Sequence, residues 1–181
     1  MYPVFAHAQF AGVSDFWNGT LHPLYTPAHV VMLVALGLYL GQRALRNVAA
    51  AAMAFGIFAA LGVVWAIARP TTNVGPAAPL TIAMLVAVLI ALDRTIPDIP
   101  MMALYAAGGL LIGVDSGVEN AALATIVKMS LGTWLSVCFV LFNIAFYTAR
   151  LTKQWQRIGV RIAASWIVAI SMLVLAFAIR H

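Results

Sequence analysis

Charge is what this sequence has least of. Of 181 residues only 8% are Asp, Glu, Lys or Arg, about a third of the share in a typical soluble domain, while 64% are apolar. Ten basic and five acidic side chains cannot build a polar shell around a chain of this size, which excludes a soluble globular fold. The same shortage excludes intrinsic disorder, which needs low hydrophobicity and high charge. Cysteine is nearly absent: Cys138 stands alone within an apolar run, so a disulfide framework is excluded. Lys and Arg do not occur before Arg43, so no charged leader segment is expected. The net charge is +5, but the basic residues are dispersed in short stretches and form no patch, which argues against nucleic acid as a partner.

What is present is long apolar runs. A window of about 19 residues predicts six spans, at about 27–41, 47–68, 77–92, 99–114, 120–147 and 158–179. The runs lack the period of two, over about ten residues, that marks barrel strands. The expected fold is therefore all-α: a polytopic six-helix membrane bundle forming a single integral membrane domain over residues 1–181, with the lipid bilayer as its surroundings. Proline and charge punctuate the gaps, as at Arg69-Pro70, Pro76, Asp93-Arg94 and Pro97. Small residues four apart (Gly37 and Gly41; Ala52, Gly56 and Ala60; Gly109 and Gly113) predict close helix packing within the chain, with a homo-oligomer interface as the lesser reading. With six spans, Arg43, Arg46, Arg94, Arg150, Lys153, Arg157 and Arg161 fall on one side and Arg69 and Arg180 on the other. The basic side is cytoplasmic, so both termini are expected outside.

Ionisable groups are costly at membrane depth and mark function there. His22 and His29, Asp15, and the pair Asp115 and Glu119 are expected at one membrane face. Imidazole nitrogen with carboxylate oxygen makes a borderline site suited to nickel, cobalt, zinc or ferrous iron. Thr26 is expected to cap a helix that Pro27 opens, with His29 in its first turn and His22 folding over from a preceding loop. Lys128, within the fifth span, is expected to pair with Asp115 or Glu119, or to reach the interface by its own length.

Leu21-His22-Pro23-Leu24, followed by Ala28-His29 and an apolar run, resembles the signature of the HupE/UreJ family of hydrogenase and urease accessory membrane proteins. That signature is similar to His-Pro-Leu-x-Gly-x-Asp-His. Asp15-Phe16-Trp17-x-Gly19 and Trp155-Gln156-Arg157-Ile158-Gly159-Val160-Arg161 extend the likeness, the latter as in a divergent branch. The resemblance implies a bacterial inner-membrane permease for nickel or cobalt, working without ATP hydrolysis. It carries no catalytic residues and no permanently bound cofactor, and the divalent metal is its cargo. His22 and His29 match the motif histidines, whereas Ala28 stands where the motif has aspartate and Thr26 where it has glycine. The contrasting expectation is a non-transporting accessory or scaffold protein for metalloenzyme assembly. Imidazoles protonate near pH ~6.5, so metal binding is expected to weaken in acid.

Overall fold

The computed structural model describes residues 12–42, 45–69, 74–117 and 121–179. Among the described residues seven helices follow one another: α1 (Asp15–Tyr25), α2 (Pro27–Gly41), α3 (Leu45–Ala68), α4 (Ala77–Ala91), α5 (Asp98–Val114), α6 (Leu123–Ala149) and α7 (Gln154–Ile179). The chain is all-α, as the apolar runs required.

α2 is the axis of the packing, lying between α4 and α6. Its side chains Met32, Leu33, Leu36, Tyr39 and Leu40 are at most 1% exposed. Around it the helices associate in pairs, α1 with α6, α3 with α5 and α4 with α7. In lipid, tail and side chain are equally apolar, so close contact and hydrogen bonds hold helices together. Small residues supply the contact. A β-carbon on Gly109 would collide with the carbonyl of Phe55, and one on Gly113 with that of Ala59, so α3 and α5 touch backbone to backbone. Gly41 meets Ala145 and Thr148 of α6 in the same way. The four-residue spacing of small residues thus does its work within the chain. Polar tips are satisfied across helices: Tyr105 Oη donates to the Leu36 carbonyl at 2.6 Å, and Trp134 Nε1 to the Gly56 carbonyl at 2.8 Å. Arg161 Nε donates to the Ala91 carbonyl at 3.0 Å, closing the C-terminal end of α4.

The expected count of six crossings is corrected. Among the described residues three helices are long and apolar enough to span a membrane: Val48–Ala68, Leu123–Ala149 and Gln154–Phe177. A fourth crossing arises if α1 and α2, bent by 76° at their junction, act as one broken span. α4 and α5 have 15 and 17 residues. At about 1.5 Å per residue they reach only about 22 and 26 Å, short of a hydrocarbon core about 30 Å thick. Hydropathy located these helices correctly but did not reveal that they stop short. The placement of both termini outside rested on six crossings and falls with them.

Candidate metal site

The site is built at the break between α1 and α2. The sequence reading placed His22 in a loop; it lies instead in the last turn of α1, with Pro23 inside the same helix. Asp15 occupies the first turn, where a carboxylate complements the positive helix end. Pro23 has no N–H, so the carbonyl four residues earlier, that of Gly19, loses its helical donor. Thr133 Oγ1 of α6 supplies the replacement, donating to the Gly19 oxygen at 2.9 Å. Proline is tolerated at membrane depth under such conditions, when a neighbouring hydroxyl takes the freed carbonyl. Two glycines seat α1 on α6: a β-carbon on Gly19 would strike the Met129 backbone, and one on Gly132 the Phe16 carbonyl.

α2 then begins as expected, with Thr26 at the N-cap position and Pro27 opening the helix. The Thr26 hydroxyl does not cap; it turns back and donates to the His22 carbonyl at 3.3 Å. His29, in the first turn of α2, is 1% exposed. Its Nε2 lies 3.2 Å from Asp115 Oδ2. Asp115 caps α5, and its second oxygen, Oδ1, accepts from the Val74 amide at 3.4 Å. Burial pushes the Asp115 carboxyl up. The hydrogen bond and electrostatic attraction of His29, the Val74 amide and the attraction of His22 outweigh that effect, and hold it below the ordinary carboxylate value. The His22 ring stands edge-on to His29, with centroids 6.2 Å apart. Nδ1 of His29, the nitrogen not engaged by Asp115, is buried without a hydrogen-bond partner among the described residues.

The structure thus brings together His22, His29 and Asp115 of the expected set. Asp15 is engaged elsewhere: its Oδ2 accepts from Thr125 Oγ1 of α6 at 3.0 Å, about 10 Å along α1 from His22. Glu119 lies outside the described residues. Among the described residues no three His, Cys, Asp or Glu side chains are close enough to enclose an ion. Lys128 is exposed on α6, and Asp115 faces His29 instead. Sequence reasoning missed the supporting residues Gly19, Thr125 and Val74. One signal for them was available: Pro23 marks the Gly19 carbonyl as needing a donor from another helix.

Neither a curated protein nor a solved structure matches the chain. The family model described as HupE / UreJ protein matches residues 1–175, nearly the whole length. With that match, and with the motif histidines gathered at a helix break, the chain belongs to the HupE/UreJ family.

Proposed function

We propose that this membrane protein is an inner-membrane permease for a divalent transition metal, nickel or cobalt first, moving it without ATP hydrolysis. The observation that carries the reading is the setting of His29. Its Nε2 lies 3.2 Å from Asp115 and its Nδ1 is buried without a partner among the described residues, so in a neutral imidazole with the proton facing the carboxylate Nδ1 is the lone-pair donor. A carboxylate behind a histidine fixes its tautomer and raises its basicity, the usual arrangement behind a metal-bound imidazole. Asp115 thereby serves from the α5 terminus in place of the carboxylate that the motif carries at the position of Ala28. His22, across the break, offers the second imidazole.

The bend supports the same reading. Transporters commonly bind their cargo where a membrane helix is interrupted. Here the interruption separates the two histidines. The positive N-terminal end of α2 disfavours a cation, and the Asp115 charge offsets it. Two imidazoles and a carboxylate behind them bind a metal weakly, and a permease has to release what it binds.

The test is uptake of nickel and cobalt into proteoliposomes that contain this protein alone. Wild type is expected to admit metal and His29→Ala to lose uptake. Wild type that moves no metal would overturn the permease and leave the accessory or scaffold class.

A further inference from the structure

We propose that the cavity between the C-terminal end of α6 and the N-terminal end of α7 binds one anionic phospholipid. It has a volume of about 780 Å³ and lies at the end of the bundle away from His29. Phe142, Phe146 and Val160 give it an apolar wall, and Gln42, Thr152 and Arg157 a polar edge. A second guanidinium stands beside that edge, since Arg150 lies over the Phe146 ring at 3.3 Å.

Three observations select the occupant. α6 has 27 residues, about 40 Å, longer than a hydrocarbon core of about 30 Å, so its ends reach towards the headgroup layers. Tyr147 and Trp155, 65% and 68% exposed, flank the cavity in sequence and are the aromatic types that settle at that level. The cavity therefore opens where phosphates are. Secondly, residues 149–161 contain Arg150, Lys153, Arg157 and Arg161 and no Asp or Glu, so the charge fits an anion and repels a metal cation. Thirdly, the wall is apolar and aromatic whereas the basic groups stand at the edge. A lipid matches both at once, with an acyl chain against Phe142 and Val160 and the phosphate at Arg157. A free phosphate would match only the edge.

The experiment is a lipid titration of the full-length protein in detergent, read by native mass spectrometry. Palmitoyl-oleoyl phosphatidylglycerol, the matching phosphatidylcholine and inorganic phosphate are the probes. Phosphatidylglycerol is expected to be retained as one molecule, at least about fivefold more tightly than phosphatidylcholine, the factor carried by one basic residue near an anionic headgroup. Arg157→Gln should abolish the preference and Arg157→Lys keep it. Thr152→Asp, at an exposed position, should abolish it by repulsion whether or not Arg157→Gln folds. Lys128→Gln removes the same charge near the other end of α6 and should leave the preference intact. Equal retention of the two lipids would overturn the proposal. So would an equal loss in Lys128→Gln and Arg157→Gln, or inorganic phosphate binding as tightly as phosphatidylglycerol.

Discussion

His29 in the first turn of α2 and Asp115 at the end of α5 meet Nε2 to Oδ2 at 3.2 Å, and the carboxylate is held from its other side by the Val74 amide. Asp115 is the only acidic group seen to engage either motif histidine among the described residues. In the proposed permease its substitution should act through the imidazole. Asp115→Asn is expected to lower nickel affinity by about 10–100-fold, the range for outer partners of metal-binding histidines. Asp15→Asn, which breaks only the tie to Thr125, should leave affinity near wild type. Isothermal titration of both variants checks this, and equal losses would contradict it.

The pH dependence of stability follows from the same pair. The folded Asp115 carboxyl titrates below its ordinary value of 3.8, so the folded state holds fewer protons than the unfolded state as pH falls through that region. Its stabilising contribution is therefore fully present above that value and is lost as pH falls through the lowered one. Asp115→Asn should remove this acid-limb dependence. Thermal unfolding in detergent as a function of pH would show whether the acid limb of wild type flattens in the variant.

Helix packing offers a test independent of metal. Gly113→Val puts a branched side chain against the Ala59 carbonyl, where neither backbone has room to retreat. It is expected to destabilise by about 1–3 kcal/mol or more. Gly159→Val, at a position open on α7, should be far milder. Melting temperatures of the two variants decide the matter.

The proline and its borrowed donor predict a coupling. Thr133→Val alone should cost about 0.6–1.7 kcal/mol, the range for hydrogen bonds between membrane helices. In a Pro23→Ala background the new amide at position 23 can reach the Gly19 carbonyl itself, so Thr133→Val should cost less. A double-mutant cycle measures the difference, and strict additivity would refute the account.

How much of this was readable in the residues depends on the interaction involved. The helices α3, α4 and α5 were placed to within a residue or two, because apolar runs and proline punctuation are local signals. The number of crossings was not readable, since α4 and α5 are as apolar as true spans and differ only in length. α1 was missed for a similar reason: Pro23 reads as a helix breaker unless the partner hydroxyl of Thr133 is known. The motif pointed to the two histidines whose rings stand 6.2 Å apart. That Asp115 meets His29 while Asp15 meets Thr125 was not readable, because it depends on α5 ending beside the first turn of α2, and no spacing within one segment reports that.

The seating of Gly19 and Gly132 has a mechanical consequence. It fastens α1 to α6 more firmly than to α2, its neighbour in the chain. His22 is therefore carried by α6 and His29 by α2, although only six residues stand between them. The gap between the two rings is set by how α2 is seated against the long α6 as well as by the short peptide that joins them. The pair of imidazoles is in effect a caliper whose jaws are mounted on different helices.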